Sequence, residues 1–366
     1  MAHEHLLSPL KIRNRTAKNR ILITGHTTGF VDEHGFPDER CVAYYRERAK
    51  GGAAVLCFGT TMVHPSSPDP HYVYNGYDPG VVPKYRAVAD AVHEFDSLML
   101  VQLGHMGQRD GGLREPLYSA SEIAVQAPQS PHALTAKQIE EIVEAFGQAA
   151  VYAEQGGLDG VELAVGHGQL INLFLSPLTN QREDEWGGSL ERRLAFCFAI
   201  IDRVRAKTGP EFIVGARINF DDMVPGGLGE PDWLEIAAYL TDHGKLDFLN
   251  VSTDFFQSVI PGMSMPHGQY APKTAAFKRL SGLPTFTAIR FNHPTDADNI
   301  IAAGTADMVG LTRAHIADPH FGLKTMEGRI DDIRTCTGCL QMCIGELFRE
   351  RTITCVYNPV TGRERE

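Results

Sequence analysis

The feature that most restricts the fold is a rhythm. Eight short, nearly uninterrupted apolar runs, each bounded by Gly, Pro or Asp, alternate with amphipathic helical patterns. They lie at 21–24, 53–58, 98–103, 160–163, 212–218, 248–251, 285–288 and 308–311. A run that is apolar at successive positions has no wet face, so each predicts a strand buried on both sides, as in a parallel sheet covered by helices. Helices are predicted over 135–154, 189–207, 231–243 and 295–303. In the first of these, Thr135 and Gln138 form a capping-box pattern while Ile139, Ile142, Val143 and Phe146 repeat at helical spacing. Pro231 suits a first helical turn. Eight such units predict an α/β fold, a (β/α)8 TIM barrel, for which 366 residues suffice. A doubly wound sheet is the alternative, but no G-x-G-x-x-G follows any strand.

Past the barrel, four of the seven cysteines crowd into twenty positions: Cys336, Cys339, Cys343 and Cys355, spaced C-x2-C-x3-C-x11-C. A tight trio with a remote fourth thiolate suits an iron-sulfur cluster. Structural zinc is the rival, although zinc modules more often pair two short halves. A disulfide framework is the third reading; crowding in a long chain whose first residues carry no signal-peptide pattern argues against it. The expected organisation is a barrel over 1–332 and a small cysteine lobe over 333–366. Cys41, Cys57 and Cys197 are scattered in apolar surroundings and read as reduced core residues.

A net charge of −11 argues against a nucleic-acid or anionic-membrane surface. No apolar stretch approaches spanning length, and the N-terminus lacks an exported leader's basic and apolar regions, so a cytoplasmic protein is expected.

In a barrel, chemistry gathers where strands end. Those positions hold Thr24-Gly25-His26-Thr27, Gly59-Thr60, Gln102, Glu162 through His167, Arg217, Asn250 with Ser252, Arg290, and Thr312-Arg313. The set suits a large anionic cofactor across the mouth, with the two arginines after strands seven and eight where barrels bind phosphate. Long loops over 104–134 and 252–270 leave room for a substrate.

Several stretches resemble the old yellow enzyme family: Ser8-Pro-Leu-Lys-Ile, Lys18-Asn-Arg-Ile21, Gln102-Leu-Gly-His-Met-Gly107, Asn172-Leu-Phe-Leu-Ser-Pro-Leu-Thr-Asn-Gln-Arg182 and Trp186-Gly-Gly-Ser-Leu-Glu-Arg192. The cysteine segment with Asn358-Pro359 and Gly362 resembles that family's iron-sulfur branch, typified by 2,4-dienoyl-CoA reductase and trimethylamine dehydrogenase. The resemblance implies non-covalent FMN and a 4Fe-4S cluster held by the four cysteines. It implies that Thr24, Gly25 and Gly59 line the flavin ring, Gln102 and Arg217 bind its pyrimidine end, and Arg290, Thr312 and Arg313 hold its phosphate. The loop 24–29 has no cysteine for covalent flavin attachment. The branch usually carries a further FAD- and nucleotide-binding half. Its place would be taken here by a separate domain or electron-transfer partner, with homo-oligomers common among relatives.

The substrate side departs from the family. Its usual His-x-x-His or His-x-x-Asn, followed by a tyrosine, is here Ala164, His167 and Gln169, and an amide cannot protonate a carbanion. Phe255 and Phe256 stand where dienoyl-CoA reductases present a histidine. Two reactions fit. NAD(P)H-linked reduction of an activated C=C bond is the family's commoner chemistry and ranks first, with His167 binding the activating oxygen. The alternative is oxidative N-demethylation, with Tyr72, Tyr74, Phe255 and Phe256 as walls around an ammonium group. A non-catalytic flavin and cluster electron carrier is a third reading.

Overall fold

The computed structural model describes residues 2–67, 73–108, 116–125, 127, 129–253 and 261–366. Eight parallel strands close into a barrel: β1 (Ile21–Ile23), β2 (Val55–Met62), β3 (Leu98–Gly104), β4 (Gly160–Ala164), β5 (Ile213–Asn219), β6 (Phe248–Ser252), β7 (Thr285–Thr287) and β8 (Met308–Gly310). Each pairs with its sequence neighbours, and β8 pairs back onto β1, so no edge strand is left unpaired. The predicted (β/α)8 barrel is the fold observed, and all eight apolar runs became its strands.

The helices form where their caps and apolar faces dictate. The capping box closes on helix Ala136–Gln155, Thr135 accepting from the Gln138 amide, with Ile139, Ile142, Val143 and Phe146 buried against the barrel. Helices Leu190–Lys207, Glu230–Asp242 and Pro294–Ala302 match the predicted patterns. Helices Glu39–Lys50, Val82–His93 and Ala271–Ser281 complete the outer layer.

An antiparallel hairpin, Leu10–Ile12 with Arg15–Ala17, plugs the barrel's N-terminal end. Ile12 and Ala17 pack onto an interior layer of Leu22, Val55, Leu98, Leu100, Ile213, Phe248, Phe286 and Met308, in which Phe248 and Phe286 stack at 4.6 Å. That floor is wholly apolar, so polar chemistry is confined to the opposite end.

Residues 333–366 contribute one short helix, Ile344–Leu347, and otherwise irregular chain tied back to the barrel. Ile353 N donates to Thr28 O at 2.9 Å, and both Asn358 Nδ2 (3.1 Å) and Thr361 Oγ1 (2.7 Å) donate to Ile316 O. Arg48 Nη1 donates to Glu364 at 2.8 Å, with the two side chains 0% and 2% exposed. Its guanidinium carbon sits 3.3 Å from the centre of the Tyr44 ring. Among the described residues no helix is long and apolar enough to cross a membrane.

Candidate active site

Strand register decides which polar side chains meet. In the parallel pairs Thr60 lies beside Gln102, Gln102 beside Glu162, and Arg217 beside Asn250, neighbours one strand spacing apart at about 4.8 Å. A bulge in β2 between Phe58 and Thr60, at Gly59, sets that alignment. Buried Glu162 accepts Gln102 Nε2 and Asn250 Nδ2, both at 2.7 Å, so its charge is met by two amides. Thr60 Oγ1 donates to Gln102 Oε1 at 2.7 Å, and Gln169 Nε2 donates to Thr60 Oγ1 at 3.2 Å.

Above this row lies a cavity of about 300 Å3 at the C-terminal ends of the strands, a volume suited to a small-molecule site. Its wall includes Thr24, Gly25, Gln102, His167, Gln169, Arg217, Arg290, Thr312 and Arg313, so the structure brings most of the expected site residues together. Gly59 lies just behind it, packed so closely on the His26 backbone that a Cβ would come within 2.4 Å of the His26 carbonyl oxygen. Thr312 Oγ1 caps β1, accepting from Thr24 N at 3.0 Å and pairing with Thr24 Oγ1 at 2.8 Å. A Cβ on Gly25 would stand 2.9 Å from the Phe58 carbonyl and 3.1 Å from Gln102 Nε2, so only glycine keeps this approach open.

Arg217 Nε donates to His167 Nε2 at 3.0 Å and its second amino group to Ser252 Oγ at 3.1 Å. A ring nitrogen that accepts carries no proton, which places the His167 hydrogen on Nδ1. His167 itself sits in the left-handed region, φ 62°, with its N–H held by Asn219 Oδ1 at 3.3 Å. His26 Nδ1 donates to the Thr24 carbonyl and its Nε2 accepts the Tyr44 hydroxyl, each at 2.8 Å; burial lowers its pKa to about 4, so it stays neutral.

Asn219 is held in turn by Asp222, whose Oδ1 accepts Asn219 Nδ2 (2.9 Å) and Trp233 Nε1 (3.0 Å) while Oδ2 accepts Leu228 N (3.0 Å). Burial pushes this carboxyl from 3.8 up to about 6, against those bonds. A raised folded-state pKa means that the fold binds the proton more tightly than the unfolded chain. The associated stability is complete below about 3.8 and lost as pH rises through about 6. Asp222→Asn should remove ~3 kcal/mol of that pH dependence, read from urea unfolding between pH 4 and 7. An unaltered slope would take Asp222 out of the profile.

At the two-arginine corner, Ile289 and Arg290 have φ of 81° and 60°; for a β-branched residue such as Ile289 this is strained backbone of the kind held at binding sites. Arg290 Nε and Nη1 and Arg217 Nη1 are buried without protein partners. Arg217 and Arg290 both line the cavity and between them keep three guanidinium atoms without protein partners, which fits an anionic ring-and-phosphate ligand such as FMN. Arg313 Nη1 donates to Pro261 O at 2.6 Å, and its side chain also forms a wall of the neighbouring cysteine pocket.

Cys336, Cys339, Cys343 and Cys355 all line that pocket as free thiols, and burial raises the pKa of Cys336 and Cys343. Four soft donors and no competing ligand suit an iron-sulfur cluster or zinc in chemistry. Among the described residues, however, no three His, Cys, Asp or Glu groups are gathered in a metal-holding arrangement.

Tyr74, expected at the substrate, is instead a core residue 1% exposed: its hydroxyl pairs with Thr28 Oγ1 at 2.7 Å and its ring packs edge-on against Phe58. Tyr72, Phe255 and Phe256 lie outside the described residues. Sequence reasoning missed that Ile344, Leu347, Phe348 and Ile353 roof the cavity from the cysteine segment. The only signal was their apolar character among the cysteines.

The model of the NADH:flavin oxidoreductase / NADH oxidase family matches residues 5–332. A probable N-methylproline demethylase of Rhizobium meliloti (strain 1021) is 36% identical over all of this chain and 55% of its own length. An N,N-dimethylglycine/sarcosine dehydrogenase of Chromohalobacter salexigens is 37% identical over all of this chain and 54% of its own. Among solved structures, a 2-naphthoyl-CoA reductase complex superposes with a TM-score of 0.94 at 28% identity, covering 99% of this chain and 58% of that one. The chain thus spans about half the length of the curated relatives it matches. A strand-end cavity with unmatched guanidinium groups and a family match over nine-tenths of the sequence lead to one assignment: the chain belongs to the NADH:flavin oxidoreductase / NADH oxidase family of FMN-dependent oxidoreductases.

Proposed function

We propose that the chain oxidises the N-methyl group of an N-methylated amine or amino acid. Hydride leaves the methyl carbon, and water hydrolyses the resulting iminium to formaldehyde and the demethylated amine. FMN, when bound, supplies the hydride acceptor. Gln102 and Arg217 would hold its pyrimidine end, Thr24, Gly25 and Gly59 would pack its ring, and Thr312, Arg290 and Arg313 would hold its phosphate. The electrons then need an acceptor, either a further domain or a separate protein. Cys336, Cys339, Cys343 and Cys355 would hold a 4Fe-4S cluster beside Arg313.

The observation that carries this direction is a wall without a carboxyl or phenol acid, its proton-bearing groups being His167, with its hydrogen on Nδ1, and the Cys343 thiol. Among the described residues lining the cavity there is no Asp, Glu or Tyr. His26 is neutral and bonded at both nitrogens, and the His167 nitrogen facing Arg217 is already an acceptor. Saturating a C=C bond requires a proton delivered to carbon, whereas removing hydride from the N-methyl carbon of a neutral amine requires none. His167 and Gln169 would orient the substrate, and Arg217 would hold the flavin's pyrimidine end. The reductive reading has its own support in the likeness to the 2-naphthoyl-CoA reductase structure. In that direction NAD(P)H would donate and His167 would bind the activating oxygen.

The test is the anaerobic visible spectrum of the holoenzyme mixed separately with sarcosine, N,N-dimethylglycine, N-methylproline and NADH. Bleaching by an N-methyl amine with formaldehyde released is the expected result. Bleaching by NADH alone, reversed by an enoyl thioester, would establish reduction instead. Iron and sulfide assays on the same sample decide between a cluster and zinc.

A further inference from the structure

The turn that carries His167 is held from behind by side chains that do not themselves line the cavity. His167 and Gly168 are consecutive left-handed residues, φ 62° and 66°, a conformation that a side chain such as that of His167 keeps only where its surroundings impose it. Asn219 Oδ1 accepts the His167 N–H at 3.3 Å, and Asn172 Oδ1 accepts the Gly168 N–H at 2.8 Å. Gly166 makes room for the first of these, since a Cβ there would stand 2.4 Å from Asn219 Oδ1. Buried Asp222 decides which end of the Asn219 amide faces the turn. A carboxylate only accepts, so Asn219 gives it Nδ2, at 2.9 Å, and keeps its oxygen for His167. The Asn172 amide lies beside the same carboxyl and favours its charge. Trp233 Nε1 and Leu228 N, both at 3.0 Å, fix the carboxyl in place. The turn in this form brings the imidazole to Arg217, whose Nε it receives at 3.0 Å. With Ser252 Oγ accepting a second nitrogen at 3.1 Å, Nη1 is the one left without a protein partner.

We infer that Asp222 and Asn219 are positioning residues for the flavin: through the His167 turn they aim Arg217, and so set how strongly the site favours reduced over oxidised cofactor. This rests on the placing of the flavin's pyrimidine end at Arg217 proposed above. Reduction gathers negative charge at that end, and a guanidinium already held by two bonds meets it without reorganising. A guanidinium released at Nε would give up side-chain freedom to do the same. No substrate enters the inference, so it holds for either direction of hydride transfer.

The experiment is a redox-dye titration of the holoenzyme at pH 8, where Asp222 is ionised, read from the flavin band. Arg217→Met is the reference and should lower the flavin's midpoint potential. Asn219→Ala should weaken binding of reduced relative to oxidised flavin about tenfold, which lowers a two-electron midpoint by about 30 mV. His167→Ala should do the same, and the double variant should fall no further than either single one, because both changes cut one chain of contacts. Asp222→Leu should lower the potential likewise. Asp222→Asn, which can still offer Asn219 an oxygen, should recover most of that loss. Asn219→Ser, too short to bridge Asp222 and His167, is read in the same way where the alanine variant does not fold. A fall with Arg217→Met but none with the Asn219 variants, or additive falls in the double variant, would overturn the inference and leave the flavin placement standing. No fall with Arg217→Met would overturn both.

Discussion

Arg217→Met is expected to slow amine-driven bleaching of the flavin by roughly 10^2- to 10^3-fold, the usual cost of removing one preorganised charge from a site where negative charge develops. The side chain is placed for that work. It stands 8% exposed at the end of β5, donates to His167 and to Ser252, and keeps Nη1 unpaired. The bonds that orient it are made by other atoms, so the free nitrogen is held in position before any ligand arrives. Arg217→Lys separates charge from geometry. It keeps a cation but loses the flat fork that contacts two partners at once, and should recover only part of the rate. Rapid-mixing absorbance reads the rate, and the unreacted flavin band reports whether cofactor is still bound. A full rate with the flavin bound in Arg217→Met would show that this cation plays no part in hydride transfer.

The largest structural effect is expected where the C-terminal segment is tied to the helix Glu39–Lys50. Arg48→Met should lower unfolding free energy by about 3–5 kcal/mol, because it leaves the buried Glu364 carboxylate with the Gly362 N–H but without its paired cation. Glu364 is 2% exposed on its side chain and Arg48 0%, so solvent cannot take over the lost pairing. Removing both charges together, as Arg48→Met with Glu364→Met, should cost much less than the single change, since an apolar pair needs no partner. Urea midpoints of the two single variants and the double variant measure the difference. Additive losses would mean that the two groups do not depend on each other.

The sequence disclosed what rests on local pattern. Continuous apolar runs marked every barrel strand because strands covered on both faces have no polar side to confuse the reading. Thr135 and Gln138 announced their helix because a capping box is made by residues three apart. Strand ends located the cavity because a parallel barrel delivers all its C-terminal ends to one rim.

What stayed hidden depends on register and on contacts between distant residues. Nothing near Gln169 foretells that its amide meets Thr60, which lies 109 residues away. Tyr74 was misread because a tyrosine close to a strand-end loop looks the same whether its ring faces a ligand or Phe58. The pairing of Thr28 with the Tyr74 hydroxyl, which decides the matter, spans 46 residues. The hairpin at 10–17 and the roof supplied by Ile344, Leu347 and Ile353 are likewise products of packing, with no spacing of their own.

The roof has a consequence for how the protein is assembled. Residues 333–366 follow the barrel in the chain, so on the ribosome all eight strands emerge before the segment that covers their mouth. Until that segment docks through Ile353, Asn358, Thr361 and Glu364, the cavity is an open bowl. Afterwards Ile344, Leu347, Phe348 and Ile353 form part of its wall. A small molecule that reaches the strand ends before residues 333–366 dock therefore meets a wider mouth than one that arrives after Ile344, Leu347 and Ile353 have joined the wall.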